Sequence, residues 1–120
     1  MIVLEIHFVS DKDGYVSMSA DVLGKSKDLD SESESNEFET AIIPVAFMQI
    51  EKSFSNVSLE QNQNLCIDMM NVLVRQAKKF DYALNRIGQH KDNINEYQLE
   101  FRKETNERFM GRNKEICDEL

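Results

Sequence analysis

Between Ile2 and Leu23 the chain alternates twice with a two-residue period, and a glycine-bearing turn separates the two runs. Ile2, Leu4, Ile6 and Phe8 share one parity while Glu5 and His7 share the other; Val16, Met18, Ala20 and Val22 then alternate with Ser17, Ser19 and Asp21. This period puts one set of side chains on one face of a strand. Ser10-Asp-Lys-Asp-Gly14 supplies a residue able to take positive φ, so the runs are expected to pair as an antiparallel hairpin with one buried face.

A lone hairpin has too little core to be stable, so the rest of the chain must cover it. Residues 24–37 are polar and aperiodic, and their carboxylates repel; they are expected to form an acidic mobile loop inside a single α+β domain spanning residues 1–120. Phe38, Thr40 and Ile42 alternate with Glu39, Ala41 and Ile43, which allows a short third strand ending at Pro44, the one proline of the chain. Pro44 suits the first turn of a helix, where its missing N–H is not needed. Phe47, Ile50, Phe54 and Val57 then recur at helical spacing and predict a short helix from about Pro44 to Asn56.

Ser58-Leu-Glu-Gln61 has the form of a capping box. After it Leu65, Met69, Val72, Leu73, Ala77, Phe80, Ala83, Leu84 and Ile87 keep the helical period as far as Gly88, predicting one long helix over 58–87. Cys66, Met70 and Val74 widen its apolar arc to about half the circumference, so it should be covered on two sides. Asn93-Ile-Asn-Glu96 reads as another cap, with Ile94, Tyr97, Phe101, Thr105, Phe109, Ile116 and Leu120 on the inner face of a final helix. Leu99, Met110 and Cys117 form a second, narrow line on it, the pattern of a small self-association seam or, more simply, of three scattered surface residues. The expected fold class is α+β: an N-terminal antiparallel β-hairpin, with residues 38–43 as an optional third strand, packed on a C-terminal helical hairpin of two long antiparallel helices plus one short helix.

A chain of 120 residues buries enough surface to fold without staples. Cys66 and Cys117 lack metal-ligand spacing and are expected to be reduced thiols. The opening Met-Ile-Val-Leu-Glu-Ile-His-Phe lacks the basic leader and cleavage site of a secretory signal, and no apolar run approaches the ~18 residues that span a bilayer, so a cytoplasmic location without membrane contact is expected.

Motifs of catalysis are not found. Asp11-Lys-Asp13-Gly14 resembles the opening of a calcium loop, but its glycine comes too early and Leu23 stands near the position of the bidentate glutamate, so a hairpin turn accounts for it. His7 and His90 are framed by no other ligands in the sequence, and glycines at 14, 24, 88 and 111 form no phosphate loop. No catalytic, cofactor-binding or metal residues are assigned, and a non-enzymatic protein is expected. Arg75, Lys79 and Arg86 would share one side of the long helix, yet the overall negative charge repels phosphate, so direct nucleic-acid binding is not expected.

The remaining signal is electrostatic. Asp28, Asp30, Glu32, Glu34, Glu37 and Glu39 lie within twelve residues without a lysine or arginine among them, and removing these six charges takes the formal net charge from −8 to −2. Concentrated charge of one sign steers association with the opposite sign. These six residues are the expected partner-binding set. The expected function is a small acidic protein that engages and inhibits a basic protein partner, in the manner of an immunity or anti-defence inhibitor of a nuclease or nucleic-acid-handling complex. The second expectation is a helical assembly or chaperone subunit that completes its core with another chain, including a homodimer through the long helices.

Overall fold

In the computed structural model of the chain, residues 1–23 and 29–104 are described, with side chains from Ser33 onward in the second segment. The expected hairpin is present. β1 (Ile2–Ser10) and β2 (Val16–Leu23) pair antiparallel without interruption from Val3↔Leu23 to Ser10↔Val16. Gly14 takes φ 84° in the turn, and the Asp11 carboxylate accepts from the N–H groups of Asp13 and Tyr15 at 2.8 and 3.0 Å.

Beyond Leu23 the fold departs from the expected one. Where a loop and a third strand were expected, the backbone is helical: α1 (Leu29–Glu37), a π-helical turn (Phe38–Ile42) and α2 (Ile43–Phe54) follow one another. Backbone angles stay right-handed helical at Glu37, Ile42 and Ile43, so the three pieces form one rod. Residues 24–28 of the acidic segment, Asp28 among them, lie outside the described residues. The wider turn has a physical cause in Pro44, whose ring would collide with the carbonyl four residues back and which cannot donate to it. In keeping with the wider turn, Ile43 N–H donates to the carbonyl of Phe38, five residues earlier. Thr40 Oγ1 also donates to the Asn36 carbonyl at 2.7 Å, a local bond that competes with the regular ladder.

The long C-terminal helical hairpin is absent among the described residues. Ser58 and Gln61 do form the reciprocal bonds of a capping box, Ser58 N–H to Gln61 Oε1 at 2.9 Å and Gln61 N–H to Ser58 Oγ at 3.3 Å. They close a turn, however, and α3 begins later and ends sooner than expected (Leu65–Lys78). Asp81 then adopts φ 66°, a left-handed conformation that stops a right-handed helix. Past it the chain turns into β3 (Tyr82–Gln89) and β4 (Glu96–Lys103), an antiparallel pair where two helices were expected. Asn93-Ile-Asn-Glu96 is the hairpin turn between them, with Glu96 N–H on the Asn93 carbonyl at 3.1 Å. The region of the final helix from Thr105 to Leu120 lies outside the described residues.

All the described strands join one antiparallel sheet in the order β2-β1-β4-β3. The rod and α3 cover one face. Their core holds Leu4, Ile6, Phe38, Ile42, Leu65, Met70, Leu73, Tyr82, Leu99 and Phe101, all without significant solvent exposure. At about 1.5–3 kcal/mol per fully buried large apolar side chain, this core is the main stabilising term. α3 packs against α2 and also meets β2, β3 and the π turn, which explains its burial nearly all the way round. Leu99 belongs to this core and to no surface seam; Met110 and Cys117 lie outside the described residues. Arg75 and Lys79 sit at the end of α3 while Arg86 is on β3, so the expected basic helix face does not exist. None of the described helices is long and apolar enough to cross a membrane.

Candidate functional site

Of the six expected partner-binding carboxylates, five belong to the rod: Asp30, Glu32, Glu34 and Glu37 on α1 and Glu39 on the π turn. Phe38, the first residue of that turn, fixes the rod to the sheet. Its ring lies 4.7 Å from that of Tyr82 and 5.2 Å from that of Phe101. This anchorage brings two of the carboxylates against cations of the same chain. Glu34 lies 3.6 Å from the N-terminal amino group. Glu37 lies 3.3 Å from Lys103 Nζ, and Lys103 also donates to the Phe80 carbonyl at 3.1 Å and sits 4.6 Å from the Tyr82 ring centre. The Tyr82 hydroxyl donates to Glu37; burial first, then this bond and the charge of Glu34, push its pKa well above the ordinary tyrosine range. Glu39 is exposed on the rod. Within the expected set, Glu34 and Glu37 thus tie the rod to cations of the sheet side.

The face of the sheet turned away from the helices is polar. On it His7 bridges two strands: Nε2 is 2.7 Å from Glu5 and Nδ1 is 3.1 Å from Glu96. With a carboxylate beside each nitrogen, the protonated ring can donate to both at once. The hydrogen bond to Glu5 raises the His7 pKa, burial opposes this, and Glu96, Glu5 and Asp21 reinforce it by charge. In its protonated form His7 thus ties β1 to β4. The linkage has a definite sign. Because the folded pKa lies above the unfolded value of 6.5, the contribution of His7 to stability is fully present below that value and is lost as pH rises through the raised folded pKa. Urea midpoints measured from pH 6 to 8.5 should therefore fall more steeply for the parent than for His7→Gln. Equal slopes would show that the tie is absent in solution.

Beside this tie a shallow depression of about 350 Å³ lies over Gly88, bordered by Arg86, His90, Gln98 and Glu96. Its charges are mixed in sign and form no converging set. A second depression, of about 400 Å³, is more distinctive. Tyr15, Val16 and Met18 of the β2 side face Phe47, Ile50 and Phe54 of α2, with Met69 of α3 between and Glu51 and Ser55 at the rim. Val16, Met18, Ala20 and Val22 point toward the helices yet stay only half-buried, unlike their counterparts on β1. Met48 stands on the outside of α2 at 70% exposure. This apolar groove was missed in the sequence, where the same residues read as ordinary core. Cys66 is half-buried on α3, and burial pushes its thiol pKa up, away from the thiolate form. No family model, curated protein or solved structure matches the chain.

Proposed function

We propose that the protein is a non-catalytic binding protein that engages a basic surface of a protein partner and inhibits that partner by covering the surface. The observation that carries this reading is the acidic rod. Asp30, Glu32, Glu34, Glu37 and Glu39 follow one another on helical backbone that Phe38 and Ile42 anchor in the core. Like charges on a helix repel, so holding them there is a cost that a merely solubilising segment need not bear. Carboxylates on an ordered element lose less conformational freedom on binding than those of a loop. A nuclease or another nucleic-acid-handling protein carries a basic surface for phosphates, and an acidic protein seated on it competes with nucleic acid. An immunity- or anti-defence-type inhibitor works in this way. The assembly reading rested on a helical hairpin that the described residues do not form.

The test begins with the protein as bait in a lysate of its native host, washed with rising salt. A captured basic protein is then purified, and its affinity measured against salt for the parent and for a variant with Asp28, Asp30, Glu32, Glu34, Glu37 and Glu39 changed to the corresponding amides. Loss of affinity by about tenfold or more, with a flatter salt dependence, is expected. A folded variant that binds the same partner with unchanged salt dependence would overturn the reading. Changing Glu34 and Glu37 alone should lower stability more than affinity, because both already serve cations of the chain.

A further inference from the structure

The two edges of the sheet are built differently. β3 breaks its register with β4 by a bulge between Leu84 and Arg86, and it exposes Arg86 there. A bulge and a long cation are both devices that keep foreign strands off an edge. β2 pairs regularly along its whole length and carries neither proline, lysine nor bulge; its only charge is Asp21.

The hairpin decides which groups of β2 are open. Asp11 N–H donates to the Tyr15 carbonyl at 2.9 Å, which fixes the alternation of hydrogen-bonded pairs up the ladder. By that alternation Ser17, Ser19 and Asp21 exchange bonds with β1, while Met18, Ala20 and Val22 direct N–H and C=O to the side that no described strand pairs. The same three residues turn half-buried side chains toward the helix layer, and Met18 lines the apolar groove against Phe47, Ile50 and Phe54. The chain itself already occupies the near end of this edge: Tyr15 bridges Ser58 antiparallel, and Leu59 N–H donates to the Gly14 carbonyl at 2.9 Å.

We propose that β2 is a strand-addition site, on which an extended basic segment of the partner pairs with Met18–Val22 and continues the sheet beyond that bridge. This rests on the reading given above and names the part of the partner that is recognised. Residues of the added strand opposite Met18, Ala20 and Val22 place apolar side chains toward the groove, and those between them place lysine or arginine on the outer face beside Asp21. Charge selects this occupant over a second copy of the chain. Asp21 is the one charge on β2 and Glu51 the one charged residue bordering the groove, and two copies would bring together chains of formal charge −8 each.

Three blocked nonapeptides of alternating lysine and valine test it: one unmodified, one N-methylated at the valines, one N-methylated at the lysines. Valine amides are the ones that would pair with β2, so the unmodified and lysine-methylated peptides should bind and the valine-methylated one should bind at least about tenfold more weakly. Hydrogen exchange at Met18, Ala20 and Val22 should slow with the first two peptides only. Ala20→Pro removes an N–H on the open side without breaking a bond to β1, and should abolish binding while circular dichroism and the melting temperature report an intact fold. Equal binding by all three peptides without protection of those amides overturns strand addition and leaves the basic-partner reading standing. Failure of all three to bind at millimolar concentration overturns strand addition as well, the partner reading then being judged by the six-carboxylate variant. Protection of the same amides in peptide-free protein that sediments as a dimer overturns it in favour of a second copy.

Discussion

Replacing Phe38 by alanine is expected to remove about 3–5 kcal/mol of folding stability, read as a lower urea midpoint at unchanged slope. The ring is fully buried and meets Tyr82 and Phe101 at 4.7 and 5.2 Å between centroids. Truncation leaves a cavity where the rod crosses β3 and β4, and helix, sheet and π turn cannot all close on it. The change also loosens Glu37 from Lys103 and Tyr82, because those contacts depend on where Phe38 fixes the rod. Phe38→Leu keeps most of the volume and should lose less than half as much. If the alanine variant lost only about 0.5 kcal/mol, a value usual for surface positions, the rod would not be docked through this residue.

Leu99→Ala should lose about 2–5 kcal/mol, and here the result separates two folds. Leu99 is 0% exposed on β4, paired with Leu4 of β1 on one side and Ile87 of β3 on the other. On a surface seam of a terminal helix the same change would alter stability by no more than about 0.5 kcal/mol and would act on self-association instead. Thermal or urea unfolding of the variant at two protein concentrations distinguishes the cases. A large loss independent of concentration belongs to the sheet, and a small one dependent on it to the helix.

The comparison of sequence with structure turns on the same residues. The β1–β2 hairpin was legible because parity, turn residue and length all agreed. Helix α2 was legible from Pro44 and the spacing of Phe47, Ile50 and Phe54. β3 was hidden by its bulge: the inward residues Tyr82, Leu84 and Ile87 are separated by two and then three positions, which continues the helical rhythm of α3 instead of breaking it. No glycine or proline marks the true stop, which is made by Asp81 with positive φ. In β4, Tyr97, Leu99 and Phe101 do alternate, but Ile94 and the apolar residues after Glu104 offered a competing helical pattern. At Phe38–Ile43 alternation of six residues was too short to separate strand from helix, and anchorage of Phe38 in the core decided for helix. The acidic residues were visible by composition, yet composition could not show that Glu34 and Glu37 turn back to cations of their own chain. The groove beside β2 depends on which strand lies at the edge, and sheet order is a property of distant pairings.

The sheet order has one more consequence, for synthesis of the chain. β1 is central, and its second neighbour is β4, with Ile2 opposite Phe101. A ribosome must therefore finish β4 before β1 has both partners, and until then Ile2, Leu4, Ile6 and Phe8 offer an open apolar strand. Long loops close slowly, and unpaired strands of this kind are where nascent chains associate wrongly. Pairing on both sides of β1 therefore waits until β4, the last of the described strands, has been made.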